Sequence, residues 1–484
     1  MPGKPKGLEF FQDIKKPTRM LSGVTVVAIM TKPYPCPHGK CLYCPGGPQY
    51  GTPQSYVKTS PAVARAIHVG YDPYRQVQLR LKQYLAMRQV PSKVELIVMG
   101  GTFPAMPREY QEWFIAQALE ALNNFPEEKT GEARLDVAMK RNESARIRCV
   151  GLTLETRPDW SFEEHVDWFL HLGATRIELG VQTVYDDILE RVHRGHLVAD
   201  SVKATQILKD AGYKVTYHMM LGLPGSDPER DYEAFKEIYS NEDFMPDAVK
   251  IYPTLVVPGS GLYEMWKRGD YKGYDMETLV ELIAKIKAIT PPWVRIIRVQ
   301  RDIPTSEIVD GPPVNNLREI VWDHMRERGM RCRCIRCREV GRFALWTGRE
   351  PRIEDAKLVR RRYEASGGIE EFISFEDVEN DVLFGFLRLR IPSEKAHRWE
   401  VTSKTAFIRE LHVYGPETPL GGEGRWWQHR GLGRRLVRAA EEVAAQEYGA
   451  EKMLVISAVG TREYYRKLGY EVLKGSFYMY KPLV

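Results

Sequence analysis

Long apolar runs are missing from this chain of 484 residues. The stretch Val24 to Met30 is only strand-sized, far short of the ~18 residues a membrane span needs. The opening Met1-Pro-Gly-Lys-Pro-Lys lacks a signal-peptide pattern, so a cytoplasmic protein with no membrane partner is expected. Cysteine is scarce, and seven of them cannot staple a chain this long as a disulfide scaffold. Internal repeats and low-complexity segments are absent too. No charge sign dominates: a net +6 is compatible with nucleic acid without singling it out. The length exceeds what one ordinary core organises, so two domains are expected.

Six of the cysteines fall in two tight groups, Cys36/Cys41/Cys44 and Cys332/Cys334/Cys337. In a reducing compartment, clustered thiols point to metal. Cys149 stands alone before an apolar run and reads as simply buried. Basic residues also cluster. Arg331, Arg333, Arg336, Arg338 and Arg342 are followed by Lys357, Arg360, Arg361 and Arg362, a run that suits either phosphate contacts or a solvated face.

From Val24 to Gln300, β-rich runs alternate with amphipathic stretches. Expected strands are Val24–Met30, Val94–Met99, Val150–Leu154, Arg176–Val181, Lys214–Leu221, Ala248–Tyr252 and Val294–Val299. Helices are expected over Arg108–Leu122, Ser161–Leu172, Ala199–Ala211 and Met276–Ile289. This order implies βαβ units and a parallel sheet. The fold class expected is α/β: a partial TIM-like (βα)6 barrel, with chemistry on the loops after the strands. Residues 301–354, with Asp310-Gly-Pro-Pro313 and the second cysteine group, read as a linker carrying its own metal. Residues 355–484 form a second α/β pattern, with strands at Val382–Leu389, Phe407–Val413 and Met453–Ser457. A long helix starts near Gly431 and a short one lies near Tyr464. The barrel is thus assigned to residues 23–300, after a short N-terminal segment 1–22.

Cys36-x4-Cys41-x2-Cys44 follows the first expected strand. Three thiolates on one loop can hold three irons of a 4Fe-4S cubane and leave the fourth iron open to a small chelating ligand. A zinc site with His38 as fourth ligand is the alternative on spacing alone. The loop's position, with Gly100-Gly101-Thr102 and Gln182 at later strand ends, resembles the radical S-adenosylmethionine (SAM) superfamily, whose usual spacing is C-x3-C-x2-C. In the second domain, Gln428-His-Arg-Gly431-Leu432-Gly433-Arg434 opens the long helix. Its free N–H groups and positive end suit a pyrophosphate. This motif resembles the GNAT acetyltransferases, which bind acetyl-CoA there. Tyr464 and Tyr465 stand where those enzymes often place a tyrosine, although paired aromatics are as often core residues.

Taken whole, the chain resembles the elongator protein 3 family. The match includes Cys41-Leu-Tyr-Cys-Pro-Gly-Gly47, Glu155-Thr-Arg-Pro-Asp159, Lys250-Ile-Tyr-Pro-Thr254 and Arg409-Glu-Leu-His-Val-Tyr-Gly415. The resemblance implies synthesis of 5-carboxymethyluridine at the wobble uridine of the tRNA anticodon stem-loop. It implies a 4Fe-4S cluster, SAM and acetyl-CoA, with acetyl-CoA contacts at Glu410, Leu411, His412, Val413, Gly431 to Arg434, Tyr465 and Lys93. Lys93 would bring the ligand to the domain interface, where a shielded junction would hold the carbon radical. Tyr464, Tyr465 and Lys93 are the catalytic candidates. The loop between the first two cysteines is shorter than in eukaryotic members, which also carry a longer N-terminal extension. Cys332, Cys334 and Cys337 suggest structural zinc, with His324 as the expected fourth ligand. A homodimer is compatible with this reading. The competing functions are a protein lysine acetyltransferase with a merely structural cluster, and a tRNA-binding scaffold.

Overall fold

The computed structural model describes residues 21–129, 131–418, 427–428 and 430–483. The N-terminal segment up to residue 20 and His429 of the glycine motif lie outside the described residues.

Seven parallel strands come first: β1 (Thr25–Met30), β2 (Lys93–Met99), β3 (Arg148–Thr156), β4 (Arg176–Gln182), β5 (Lys214–Leu221), β6 (Ala248–Pro253) and β7 (Arg295–Val299). They pair in chain order, and β1 and β7 form the two edges of an open barrel. The seven strands are the seven expected, with β7 at Arg295–Val299 completing the sheet. Helices Arg108–Asn124, Glu163–His171, Val198–Asp210 and Met276–Ile289 cover its outer face. One side of each strand is apolar and buried among them, as with Ile177, Leu179, Val215, Tyr217, Val249 and Ile251.

The other side of the strands departs from the usual barrel interior of branched aliphatic residues. Arg176 pairs with Glu95 at 2.9 Å, and Lys250 reaches both Glu178 and, at 3.4 Å, Glu155. Charges inside a fold persist only when paired and hydrogen-bonded, so this interior commits the barrel to a polar purpose.

The second sheet contains β8 (Lys357–Ala365), β9 (Gly368–Asp377), β10 (Val382–Ile391), β11 (Thr405–Val413), β12 (Lys452–Val455), β13 (Glu471–Val472) and β14 (Met479–Pro482), in the order β13-β14-β12-β11-β10-β9-β8. Helix Leu432–Tyr448 packs Leu432, Leu436, Ala440 and Val443 into its core. The opposite face of this sheet caps the barrel at the N-terminal ends of its strands. There Arg409 grips Asp247 at 2.8 and 2.7 Å, Arg390 binds Asp210 at 2.6 Å and Arg388 binds Glu410 at 2.9 Å. These arginines are almost fully buried. Removing one partner of such a pair typically costs 3–5 kcal/mol, so the interface is a fixed weld. No described helix is long and apolar enough to cross a membrane.

Candidate active site

Strand β1 delivers the chain into the first cysteine loop at the C-terminal end of the barrel. The loop is pinned by backbone bonds from Leu42 N to Val192 O (3.1 Å) and from Leu262 N to Leu42 O (2.8 Å). Thr102 Oγ1 donates to Cys36 Sγ at 3.5 Å. A Cβ on Gly101 would stand 3.5 Å from that sulfur, and one on Gly100 would fall 2.0 Å from Thr31 Oγ1. Gly100 has φ +140, so the turn excludes side chains on both counts. The glycine pair and Cys36, expected together, do meet.

His38 Nε2 lies 3.2 Å from Cys41 Sγ, and the buried Arg194 lies 3.8 Å from the same sulfur. A hydrogen bond from Cys44 draws the Cys41 thiol well below its ordinary value against the cost of burial, with help from His38 and Arg194. Cys41 thus favours thiolate, the form that binds metal, whereas burial raises Cys36 and the hydrogen bond with Cys41 raises Cys44.

Spacing between sulfurs separates the two cysteine groups. Two described clusters bring three metal-capable atoms within 4.8 Å of one another: Cys332/Cys334/Cys337 and Glu155/Glu178/His218. The first cysteine loop, even counting His38, is not among them. Thiolates around a single zinc, each ~2.3 Å from it, must crowd together. Thiolates on three different irons of a cubane stand farther apart. Here Cys41 has both Cys44 and His38 within hydrogen-bond reach while the set as a whole does not close on one point, so spacing alone accommodates a cluster at Cys36, Cys41 and Cys44 and does not decide against zinc with His38.

Above the barrel interior, beside this loop, lies a cavity lined by Tyr43, Tyr56, Glu155, Gln182, His218, Tyr252 and Arg301, among others. Three buried polar atoms around it have no hydrogen-bond partner among the described residues: Tyr43 Oη, Gln182 Oε1 and Arg301 Nη1. Native structures rarely leave such groups unpaired, so the cavity fits a polar ligand such as SAM. Gln182 holds φ +73, uncommon for a residue with a side chain and frequent at functional sites. Burial would raise Glu178, but Lys250 and His218 outweigh it and hold the carboxyl well below the usual range. Sequence reasoning did not name Glu155, Glu178, His218, Lys250 or Arg194 as site residues. The available signal was charge on alternate residues of central strands, as in Arg176/Glu178 and Lys214/His218.

The second-domain candidates gather around one opening. β11 pairs with β12 only from Thr405↔Lys452 to Ile408↔Val455. Beyond Ile408 the two strands part. Glu410, Leu411, His412 and Val413 line the β11 side of the gap, so their backbone groups on that edge are free to bind an extended ligand arm. Gly431 (φ +82) opens helix Leu432–Tyr448 beside it. A Cβ on Gly433 would lie 2.7 Å from Tyr464 Oη. That hydroxyl is buried without a partner among the described residues, and burial raises it to about 12, with Arg434 opposing. Tyr465 instead packs against Tyr470 at 5.6 Å in the core, so of the two only Tyr464 has its hydroxyl at the opening. Lys93 Nζ donates to Gln428 Oε1 at 2.7 Å, and Gln428 Nε2 donates to Val413 O at 2.9 Å. Burial lowers Lys93 to about 8, against the pull of Glu417. Lys93 reaches this opening through Gln428. The Glu410 carboxylate is spent on Arg388 and Arg176, and His412 Nε2 on Ser22 O at 2.7 Å, so those two residues offer only backbone to a ligand.

The two centres lie at opposite ends of the barrel. Lys93 begins β2 and Gly100 follows its last residue. Seven residues at about 3.3 Å each put roughly 20 Å between the ends. The residues expected around one junction thus stand at the two ends of the barrel. A second small cavity at the interface end, lined in part by Arg176, Lys214, Thr216 and Glu410, is separated from the upper one by the Glu178–Lys250 layer.

Cys334 is fully buried, and Ile335 N binds Val294 O at 3.0 Å, tying the second cysteine loop to the start of β7. Against burial, hydrogen bonds from Cys332 and Cys337 and the charge of Lys287 bring Cys334 well below its usual value. His324 is not part of this group. Its Nε2 faces Glu281 Oε2 at 3.0 Å, because helix Leu317–Glu327 turns that side toward helix Met276–Ile289. The basic run is also largely committed. Arg333 binds Asp381, Arg338 binds Asp381 and Glu376, Arg342 binds Glu339, and Arg360 and Arg361 bind Glu371 and Glu376. Those arginines are structural before they are a phosphate-binding surface.

Residues 32–238 match the Radical SAM superfamily, 246–327 the Radical_SAM C-terminal domain and 343–470 the Acetyltransferase (GNAT) family. The chain is 53% identical to a tRNA uridine(34) acetyltransferase of Methanocaldococcus jannaschii over 94% of its own length and 84% of that protein. It is 46% identical to Elongator complex protein 3 of Saccharomyces cerevisiae over 94% of its length and 83% of the relative. A solved structure of archaeal Methanocaldococcus infernus Elp3 with an N-terminal deletion of residues 1–46 superposes with a TM-score of 0.83 at 48% identity. That superposition covers 96% of this chain and 100% of the other.

Proposed function

The chain belongs to the Elongator complex protein 3 family, and from that membership we propose that it modifies uridine 34, the wobble position, of tRNA as an acyltransferase. The product is 5-carboxymethyluridine, made from acetyl-CoA by radical SAM chemistry. The observation that supports this reading is the Gly101–Thr102 turn against Cys36, with Thr102 bonded to its sulfur, together with a cavity lined by Tyr43 of the same cysteine loop that has three polar atoms without partners among the described residues.

Cys36, Cys41 and Cys44 hold the iron–sulfur cluster. Gly100, Gly101, Thr102 and Gln182 receive SAM beside it. When bound, these groups supply a 5′-deoxyadenosyl radical able to activate the acetyl methyl carbon, which a uracil ring could not attack by ordinary acyl transfer. The β11 edge from Glu410 to Val413 and the turn Gly431 to Arg434 bind acetyl-CoA, with the pyrophosphate at the helix end. Tyr464 stands at the thioester, and Lys93 fixes the mouth of the opening through Gln428. With these groups bound, the acetyl methyl carbon would join carbon 5 of the uracil and hydrolysis of the thioester would leave a carboxymethyl group, which requires the acetyl group to cross from the second-domain opening to the upper cavity. A zinc ion at Cys332, Cys334 and Cys337 pins the segment between the domains; the donor set and its crowding fit that ion. A cytoplasmic setting and a homodimer belong to the same reading, and sedimentation tests the second.

The experiment is nucleoside analysis of tRNA after anaerobic incubation with the reconstituted enzyme, acetyl-CoA, SAM and a reductant. Carboxymethyluridine that depends on both cofactors is expected. Acetylated peptide or released CoA without a SAM requirement would replace this reading with that of a lysine acetyltransferase.

A further inference from the structure

One cluster of titratable groups lies outside the residues assigned above. It lies at the upper cavity, which Glu155 and His218 line together with Gln182 and with Tyr43 of the cysteine loop. His218 Nε2 is 2.9 Å from Glu178 Oε2, and the same oxygen accepts from Lys250 Nζ. Lys250 also reaches Glu155 at 3.4 Å, and Glu155 accepts from Tyr56 Oη at 3.0 Å. The Tyr252 ring stands edge-on to the imidazole, with centroids 5.4 Å apart. His218 lines the cavity, whereas Glu178 and Lys250 beneath it are buried.

The three metal-capable atoms of Glu155, Glu178 and His218 lie within 4.8 Å of one another, but Lys250 is already among them. An ammonium at the centre of two carboxylates takes the place a cation would occupy. The arrangement is therefore a relay. With Nε2–H donating to a carboxylate that Lys250 holds ionised, the imidazole tautomer is fixed and Nδ1 carries the lone pair. Nδ1 has no partner among the described residues. This pattern, a base oriented by a carboxylate from behind, is how proteins aim an imidazole at a substrate proton.

We propose that His218 takes the proton from carbon 5 of the target uracil once the new carbon–carbon bond has formed. The inference rests on the radical reading above. Addition of the carbon radical forms the bond at C5, breaks the C5–C6 π bond and leaves the unpaired electron at C6. Restoring the double bond removes the C5 hydrogen as one proton and one electron. His218 Nδ1 accepts the proton. The electron leaves to a one-electron acceptor, an iron–sulfur centre in its oxidised state. Glu178 and Lys250 are positioning residues: they fix the ring and stabilise the imidazolium.

The test compares wild type with His218→Gln and His218→Ala in single-turnover reactions. Each is scored for 5′-deoxyadenosine and carboxymethyluridine, with tRNA affinity measured in parallel. For His218→Gln, tRNA affinity and 5′-deoxyadenosine yield stay within about twofold while product falls about 100-fold, the usual contribution of a positioned base. With uridine deuterated at C5, the isotope effect on product formation rises in the variant, because C5–D cleavage becomes limiting. Added imidazole restores part of the product in His218→Ala. Equal loss of 5′-deoxyadenosine and product, or an unchanged isotope effect, overturns the assignment and leaves His218 a packing residue. If wild type itself makes no carboxymethyluridine, the radical reading has failed, and that result is distinct from a failure of the relay.

Discussion

The two cysteine groups use the same side chain in nearly the same spacing and arrive at opposite geometries. Cys332, Cys334 and Cys337 draw their sulfurs within 4.8 Å of one another at the foot of the barrel, with Cys334 fully buried. Cys36, Cys41 and Cys44 do not all close to that distance at the mouth: Cys41 and Cys44 share a hydrogen bond, while Cys36 lies against a glycine turn and Cys44 also meets Ser55 Oγ at 2.8 Å. Crowded thiolates that share one ion are a clasp. Thiols that do not all close on one point, beside a cavity with partnerless polar atoms, can leave a metal face open for chemistry. Number of cysteines does not separate structural from reactive metal sites; what surrounds them does.

The strongest way to break this contrast is Cys41→Ala. It should drop carboxymethyluridine below about 1% of wild type while tRNA affinity changes less than about twofold, since phosphate contacts set affinity. Product retained in that variant would remove the radical centre from the loop. Next is Cys334→Ala. Its main effect should be on stability, lowering the first melting transition by on the order of 5–10 °C, while SAM cleavage per folded molecule stays near normal. A variant that melts like wild type but cannot cleave SAM would reverse the roles of the two groups. Metal analysis after brief exposure to air sharpens the contrast further. Iron should be lost from the oxygen-sensitive first group and zinc, which has no redox chemistry, retained by the second, so joint loss of both metals would argue for two similar centres. The smallest effect is expected from His324→Ala. It removes only the half-exposed contact with Glu281, worth about 1 kcal/mol or less, and zinc content should be unchanged. A fall in zinc would return His324 to the ligand set.

Much of the barrel was legible because its strands are short apolar runs between amphipathic helices; Lys214–Leu221 and Met276–Ile289 match the structure end to end. The first two strands of the second sheet were not legible. β8 carries Lys357, Arg360, Arg361 and Arg362, and this basic run masks its alternation. The charges make sense only against Glu371 and Glu376 on β9, which face them across the ladder. The hairpin signal was present in Ser366-Gly367, both with positive φ between the paired Ala365 and Gly368, a two-residue turn of the kind that joins antiparallel strands. In the site, the cysteines and glycines were readable because each motif shapes its own loop. His218 and Lys250 were hidden because a charge inside a strand has meaning only once its partner on the neighbouring strand is known.

By itself the sequence determined the local parts: a cysteine loop after a strand, a glycine turn that admits no side chain, a helix opening on glycines for a pyrophosphate. These depend on backbone conformation and on neighbours a few residues away. Tertiary structure alone decided that the two centres face away from each other across roughly 20 Å of charged barrel interior, and that His324 misses the second metal group. The reason is that docking is set by pairs such as Arg409 with Asp247 and Arg390 with Asp210, joined across more than 150 residues of chain, and no local pattern encodes a distance of that kind.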